Sequence, residues 1–338
     1  MDLEDQMTKI LITGVAGFIG SNLAEALLDR GYAVVGVDNF SHGHKLNLAR
    51  FINHPGFEIH EIDIRDMTAL SHAAWGCQVI THLAAYKIPR YSDALDTLLI
   101  NSTGSNNVLK VAVETRAKVV AASTSDVYGK STELPFKETS DLVIGNPEVK
   151  RWAYAISKMF EEQLLYAYHE RYGVDVISLR FFGGYGPNQN LTWWGGPQSV
   201  FINSALDDKE MEIHGDGLQT RSFTYVSDHV DGIIWAIERP EANNMVFNLG
   251  STQEITIEGL ARLIWRLVHG DKPAKMHFIP YTTFGKYEDV RRRVPDITRA
   301  RQVLGFEPQV DLETGLRQTI EWQRARRLQL GIGTSFLR

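Results

Sequence analysis

The sequence predicts a doubly wound α/β fold, in which helices cover both faces of a parallel β-sheet, followed by a smaller mixed α/β lobe. In the first half, short apolar runs alternate with segments of helical periodicity. A glycine-rich turn follows the first apolar run, and the composition changes after about residue 180. Alternating strands and helices are typical of parallel sheets buried on both faces. We therefore divide the chain into residues 1–180 and residues 181–338, with some C-terminal segments returning to the first domain.

The elements of the first half follow from hydrophobic runs and their boundaries. Apolar runs of strand length predict buried strands, at residues 9–13, 33–37, 57–62, 79–83, 118–122 and 174–179. Helical spacing predicts intervening helices, at residues 22–30, 104–115 and 155–171. Gly31 is expected to end the first helix, because glycine commonly follows a helix C-terminus.

The second half begins with residues 183–198, which are rich in Gly, Pro, Asn and Trp and predict a long loop. Loops of this length inside compact domains are usually functional or disordered. Beyond it, the pattern predicts helices at 197–206, 227–238 and 257–268, and strands at 211–214 and 246–249.

The bulk composition excludes several classes of protein. The net charge is −6, so no basic surplus indicates a nucleic-acid partner. No apolar run reaches the roughly 18 residues that a membrane span needs, and no signal-peptide pattern is present. The only cysteine excludes an internal disulfide, and the histidines lack metal-ligand spacing. These features predict a cytoplasmic globular protein without a metal.

The glycine turn predicts a dinucleotide site. Gly14, Gly17 and Gly20 lie between the first strand and the first helix, where glycines allow a tight turn and a close approach to a pyrophosphate. Asp38 follows at the end of the second strand, the position from which an acidic residue binds ribose. A carboxylate there repels a 2′-phosphate, so a Rossmann-type site for NAD rather than NADP is expected.

Two segments of the first domain carry chemistry. Tyr154 and Lys158 share one face of a helix, and an ammonium beside a phenol is expected to lower the tyrosine pKa and favour a base. Thr124, Ser125 and Asp126 follow the fifth strand, at the sheet edge where open α/β proteins bind ligands.

Together these motifs resemble the extended short-chain dehydrogenase/reductase family of nucleotide-sugar epimerases, dehydratases and decarboxylases. The resemblance covers nearly the whole chain and includes residues 13–20, 82–85, 101, 123–129, 154–158, 185–187, 215–225 and 228. It implies an NAD-dependent enzyme that removes hydride from the sugar of a nucleotide-sugar, most simply a UDP-sugar.

The resemblance also implies roles for individual residues. Tyr154 would be the base, Lys158 would bind the nicotinamide ribose, and either Thr124 or Ser125 would bind the sugar hydroxyl. Arg221 would hold the diphosphate, for which its forked donors are suited, and Lys87 would lie near the sugar and phosphates. The implied cofactor residues are Gly14, Gly17, Phe18, Ile19, Gly20, Asp38, Asn39, Asp63, Ile64, Leu83, Ala84, Ala85, Lys87, Asn101, Ser123, Tyr154 and Lys158.

Three features bear on the fate of the oxidised sugar. Gly183 stands where many members have an asparagine that contacts the substrate, so Asn188 or Gln189 is expected to replace that contact. Asp126 stands where dehydratases and decarboxylases usually have glutamate. Residues 291–296 and Arg151 resemble decarboxylases, and we assign Arg292 to the substrate.

These features do not agree on one reaction. We favour a UDP-sugar 4-epimerase acting through a 4-keto intermediate, on an acidic sugar such as UDP-glucuronate. UDP-glucuronate decarboxylase comes next, then 4,6-dehydratase, and last a non-catalytic NAD-binding sensor. The resemblance further implies a homodimer, with an interface on residues 105–113 and 154–168.

Overall fold

The main sheet has seven parallel strands, in a computed structural model that describes residues 8–87 and 93–332. The strands of this sheet are β1 (Lys9–Thr13), β2 (Ala33–Asp38), β3 (Phe57–Glu61), β4 (Val79–His82), β5 (Lys118–Thr124), β6 (Val176–Phe181) and β11 (Met245–Leu249). Their order across the sheet is β11–β6–β5–β4–β1–β2–β3. The helices along the chain are α1 (Phe18–Asp29), α2 (Met67–Ala73), α3 (Ala94–Thr115), α4 (Trp152–Tyr172), α5 (Pro197–Leu206), α6 (Val226–Glu238), α7 (Ile257–His269), α8 (Thr298–Leu304) and α9 (Leu312–Gln329).

The central strands are buried on both faces, as the predicted doubly wound fold requires. Ile10, Leu11 and Ile12 of β1 are completely inaccessible to solvent, and β1 pairs with β2 on one side and β4 on the other. Burying apolar side chains on both faces is what favours helices above and below a parallel sheet. The predicted fold class is confirmed.

The seventh strand comes from the second half of the chain. The predicted strand at residues 246–249 was expected in the smaller lobe, yet β11 pairs in parallel with β6 at the edge of the main sheet. Helix α6, which precedes it, packs against α1, β5 and β6. We therefore assign residues 226–249 to the first domain, since β11 completes the main sheet and its Phe247 and Leu249 are buried there.

The smaller lobe contains three short sheets, made from β7 (Gly184–Tyr185), β8 (Met211–His214), β9 (Thr220–Ser222), β10 (Thr224–Tyr225), β12 (Glu254–Thr256), β13 (Met276–Ile279) and β14 (Arg292–Arg293). Helix α7 packs there through residues spaced by three and four positions, which places them on one helix face. These residues are Ile257, Leu260, Ala261, Ile264 and Trp265.

Several boundaries differ from the sequence prediction, and the largest shift is at the start of α3. Helix α3 begins at Ala94, ten residues before the predicted start, because the Asp93 carboxylate accepts a hydrogen bond from the Leu95 backbone N–H and caps the helix. The predicted loop at 183–198 includes β7, which pairs with β10. No helix among the described residues is long and apolar enough to cross a membrane.

Helix α4 is attached to the sheet by a buried ion pair. The Arg180 guanidinium of β6 donates to Glu162 of α4 through Nε at 2.9 Å and Nη2 at 2.7 Å. The Ser123 hydroxyl of β5 donates to the same carboxylate at 2.5 Å. Both charged side chains are nearly inaccessible to solvent. This pair fixes α4 against the carboxyl ends of β5 and β6.

Candidate active site

A cavity of about 970 Å³ lies at the carboxyl ends of the main sheet and extends into the smaller lobe. Its walls include the glycine turn after β1, the segment after β5 and the start of α4. The smaller lobe contributes Arg221 and Arg293. Ligands of open α/β sheets bind at this edge, and the volume is in the range of sites for small molecules and cofactors.

The glycine turn is shaped for a close approach of phosphate. Gly14 has a φ of +73°, and a side chain at Gly20 would place its Cβ 2.2 Å from the Gly14 carbonyl oxygen. Helix α1 then begins at Phe18 without a side-chain cap at Gly17. Free N–H groups at a helix N-terminus attract anions. The turn therefore fits the pyrophosphate of a dinucleotide.

Asp38 is positioned at the end of β2 by two backbone donors. The Ala16 N–H donates to Oδ2 at 2.9 Å, and the Phe40 N–H donates to Oδ1 at 2.8 Å. Burial raises the pKa of Asp38, while the two N–H groups act in the opposite direction. Each carboxylate oxygen has two lone pairs, so Asp38 retains acceptor capacity for ribose hydroxyls.

Most of the remaining residues predicted to bind the cofactor line the cavity, namely Asn39, Asp63, Ile64, Leu83, Ala84, Ala85, Lys87 and Ser123. The Asp63 carboxylate is already occupied, since Arg65 donates to both its oxygens and lowers its pKa to about 2. The Ser123 hydroxyl is committed to Glu162, so Ser123 can offer a ligand its backbone but not this proton.

Asn101 does not line the cavity, contrary to the sequence prediction. Its side-chain oxygen accepts from the Tyr86 N–H at 2.7 Å, and its amide donates to the Tyr86 carbonyl at 3.0 Å. The amide also donates to the Ser157 hydroxyl at 2.9 Å. All its polar atoms serve the backbone and α4, so Asn101 shapes the cavity wall indirectly.

Tyr154 lies in the cavity wall at the start of α4, as predicted, but its pKa is raised. Burial is the largest cause, and the negative charges of Asp126 and Glu161 add to it. A hydrogen bond with the Thr124 side chain acts in the opposite direction. The Thr124 contact favours Thr124 over Ser125 as the hydroxyl that works beside Tyr154.

Lys158 also lies in the cavity wall, but its ammonium is paired with a carboxylate that the sequence analysis overlooked. Lys158 Nζ lies 2.9 and 3.1 Å from the two oxygens of Glu161, and both side chains are 1% exposed. The pKa of Tyr154 is therefore raised rather than lowered as expected, chiefly because its side chain is buried, and the negative charge of Glu161 adds to the rise.

Asp126 is surrounded by arginines from three parts of the chain. Arg293 Nη2 lies 2.9 Å from its carboxylate, and Arg151 Nη2 lies 3.4 Å from it. Arg221 Nη2 lies 3.3 Å from Asp289, to which Arg151 is also close, at 3.8 Å. Since three guanidinium groups face two carboxylates, this wall of the cavity carries a net positive charge.

Arg293, and not the predicted Arg292, faces the cavity. Strand β14 pairs in parallel with β9, so that Arg293 is opposite Arg221 and Arg292 is opposite Thr220. Successive side chains of a strand point to opposite faces. Arg292 therefore points away and pairs with Glu254 at 2.6 Å with half its side chain exposed. The prediction named the wrong member of the pair.

Gly183 lines the cavity in a conformation that excludes the asparagine common elsewhere. Its φ is +37°, and a Cβ would stand 2.0 Å from the Ser222 carbonyl oxygen. The expected replacements, Asn188 and Gln189, line the cavity, but their amides are already hydrogen-bonded within the chain. Asn188 is held by Ser21 and Arg326, and the Gln189 amide donates to the Gly184 carbonyl at 2.9 Å.

Comparison with protein families identifies the chain. Residues 11–319 match the model of a family described as GDP-mannose 4,6 dehydratase. The chain belongs to this family. The predicted resemblance to extended short-chain dehydrogenases of nucleotide-sugars is thereby confirmed.

Curated members of the family include decarboxylases of acidic nucleotide-sugars. UDP-N-acetyl-α-D-glucosaminuronate decarboxylase from Bacillus cytotoxicus is 36% identical over 320 residues, covering 94% of this chain and 98% of that protein. UDP-glucuronic acid decarboxylase 1 from Xenopus tropicalis is 36% identical over 323 residues, covering 95% of this chain and 73% of that protein.

Solved structures of the family include epimerases with the same fold. UDP-glucuronic acid 4-epimerase from Bacillus cereus, in complex with UDP-glucuronic acid and NAD, has a TM-score of 0.85 at 28% identity. The match covers 94% of this chain and all of that one. UDP-glucose 4-epimerase from Thermotoga maritima, with UDP-glucose, has a TM-score of 0.85 at 30% identity, covering 94% and 99%. NAD as the cofactor of this dehydratase, epimerase and decarboxylase family is confirmed.

Proposed function

We propose that this protein is an NAD-dependent decarboxylase of a UDP-linked uronic acid, which oxidises the sugar at C4 and then releases its carboxylate as carbon dioxide. The observation that carries the choice of a UDP-uronate as substrate is the group of guanidinium side chains of Arg151, Arg221 and Arg293 beside Tyr154 in one cavity wall. Such forked donors bind phosphate and carboxylate, and a UDP-uronate presents both.

The chemistry divides between the cofactor and the chain. When bound, NAD accepts hydride from C4 of the sugar and later returns it. Tyr154 takes the proton of the C4 hydroxyl, and Thr124 shares a hydrogen bond with it. Oxidation makes the uronate a β-keto acid, whose bond between C5 and the carboxylate carbon breaks with its electrons entering the ketone as an enolate. A proton from solvent adds at C5 of the enolate, and Tyr154 returns its proton to the C4 oxygen when that ketone is reduced.

The ionisation of Asp126 supports loss of carbon dioxide over loss of water. Burial by itself would raise the pKa of Asp126, but Arg293, Arg151 and Arg221 outweigh it and the net pKa is lowered. Asp126 is therefore a carboxylate near neutral pH, where it accepts hydrogen bonds and has no proton to donate. A dehydratase needs an acid to donate a proton to the leaving hydroxyl, which this environment disfavours.

A second candidate is the 4-epimerase of UDP-glucuronate that the sequence favoured. It is supported by the likeness of the whole fold to the Bacillus cereus epimerase. Both reactions start from a UDP-uronate and share the same oxidation, so the arginine wall suits both. The decarboxylase is preferred because the curated decarboxylases reach 36% identity over nearly all of this chain.

Product analysis distinguishes these functions. The enzyme is incubated with NAD and UDP-glucuronate, UDP-N-acetylglucosaminuronate or UDP-glucose, and the products are examined by mass spectrometry and NMR. Loss of carbon dioxide is the expected result. Conserved mass with inversion at C4 would establish the epimerase, and loss of water the dehydratase. Turnover of UDP-glucose alone would refute an acidic substrate, while a Tyr154→Phe variant that matches the wild type would refute the shared oxidation step.

We also propose a homodimer through α3 and α4. Their exposed apolar side chains are Leu95, Leu99, Ile156 and Phe160, each at least 39% accessible. This surface differs from the predicted stretch 105–113, whose Val108, Leu109, Val111 and Ala112 are buried within the chain. A Phe160→Glu variant is expected to be monomeric by light scattering, and a Trp75→Glu variant, at an exposed site outside both helices, serves as the control.

A further inference from the structure

A continuous chain of buried hydrogen bonds runs from Lys158 to the first strand of the sheet. Lys158 Nζ donates to both oxygens of Glu161, and the Ser105 hydroxyl of α3 donates to the same carboxylate at 2.6 Å. Ser105 Oγ lies 3.1 Å from His82 Nε2, and His82 Nδ1 lies 2.8 Å from Thr13 Oγ1. All five side chains are nearly inaccessible to solvent. Glu161 is thus fixed from two helices at once.

The pairing has an energetic reason and a chemical consequence. Burying an ammonium is costly unless it is paired, and the Glu161 carboxylate supplies the counter-charge beside Lys158. The same carboxylate raises the pKa of Tyr154 directly, in the direction opposite to that expected of a neighbouring ammonium. Glu161 therefore limits how far the ammonium of Lys158 favours the phenolate form of Tyr154.

Other charges around Tyr154 come from every element packed against it. Asp126 raises the pKa of Tyr154, but it is itself neutralised by arginines. His82 has a pKa lowered to about 4 by burial and stays neutral near pH 7. The remaining charged groups of the surrounding wall are Lys87, Arg151, Arg221, Asp289 and Arg293. Asp126 and Glu161 are the two carboxylates that raise the pKa of Tyr154. Of these two, Glu161 is the one that is bonded to Lys158.

We propose that Glu161 is a positioning residue for the reaction: it fixes the Lys158 ammonium and sets the pH at which Tyr154 gives up its proton. This inference rests on the proposed roles of Tyr154 and Lys158 in the oxidation step. It does not depend on whether decarboxylation or epimerisation comes next.

The test replaces the charge while keeping the shape. Glu161→Gln retains an acceptor for Lys158 and a partner for Ser105. Because a negative charge near Tyr154 is removed, the acid limb of the kcat/KM profile is expected to move to lower pH by about one unit, the order expected for one nearby charge. Glu161→Asp keeps the charge and is expected to leave the limb in place while lowering kcat. Glu170→Gln, an exposed carboxylate of the same helix, is the matched control and is expected to change neither.

A second readout separates this inference from the proposed function. In NAD-loaded protein with isotope-labelled tyrosine, the Tyr154 resonance is assigned by its loss in Tyr154→Phe and titrated by NMR. Glu161→Gln is expected to lower its midpoint in parallel with the kinetic limb. An unchanged or raised midpoint, or an equal shift in Glu170→Gln, would overturn the role of Glu161. If the wild type turns over none of the UDP-sugars, the proposed function fails, yet this titration still decides the inference.

Discussion

The adjacent arginines of β14 offer a matched pair of substitutions that tests the arginine wall. Arg293 donates to Asp126 at 2.9 Å and is 14% exposed, whereas Arg292 pairs with Glu254 outside the cavity and is 56% exposed. A hydrogen bond to a charged group contributes about 2–3 kcal/mol, which corresponds to roughly 30- to 150-fold in kcat/KM. A surface ion pair contributes about 0–1 kcal/mol. Arg293→Met should therefore reduce kcat/KM for UDP-glucuronate by roughly 30- to 150-fold, and Arg292→Met by no more than about 5-fold.

The assay compares an acidic and a neutral substrate at saturating NAD. If Arg293 binds the uronate carboxylate, Arg293→Met should lose more activity on UDP-glucuronate than on UDP-glucose, measured as reduction of the nicotinamide or as product. An equal loss on both substrates would mean that Arg293 acts only by holding Asp126. A loss in Arg292→Met as large as in Arg293→Met would refute the strand alternation on which the site is built.

Three further predictions concern stability. Glu162→Gln should lower the free energy of unfolding in urea by about 3–5 kcal/mol, because it leaves Arg180 buried without a counter-ion. Replacing both Glu162 and Arg180 by apolar residues should recover much of this loss. If the losses of the two single variants simply added in the double variant, the two side chains would not be coupled. Gly183→Ala should cost at least about 1–3 kcal/mol, since its Cβ meets a backbone oxygen; an unchanged urea midpoint would argue against this geometry. His82 and His229 have pKa values lowered to about 4 by burial, so the unfolded chain binds more protons than the folded one between about pH 4 and pH 6.5. The free energy of unfolding should therefore fall as the pH decreases through that window. Replacing His229 with Gln should reduce the slope of this free energy against pH.

The main sheet could be predicted because its strands are apolar on both faces and separated by glycines and helical spacing. The same signal predicted β11 as a strand, but it did not predict that this strand pairs with β6. That pairing depends on α6 packing across the sheet rather than on any local pattern. The start of α3 was missed because its first turns are polar in part, and a single capping aspartate, Asp93, decides where it begins.

The candidate site was predictable where a motif fixes a residue near the sheet edge, as for Asp38, Thr124 and Tyr154. It was not predictable where the orientation of a side chain depends on strand alternation in a two-residue strand. For this reason Arg292 was predicted to face the substrate instead of Arg293. Glu161 was missed for another reason. It follows Lys158 by three positions, a spacing that places both on one helix face, so the signal was present in the sequence but was not used.

The position of β11 has a consequence for engineering. Exchanging residues 181–338 with those of a relative of different specificity would transplant the seventh strand and α6 along with the substrate lobe, so that the parent's β6 would have to pair with the edge strand of the relative. Such chimeras would replace part of the nucleotide-binding core while aiming to change only the sugar. Recombination should instead keep residues 226–249 with the parent sheet. The segments that build the main sheet and those that build the substrate lobe alternate along the sequence, so a single crossover point does not separate them.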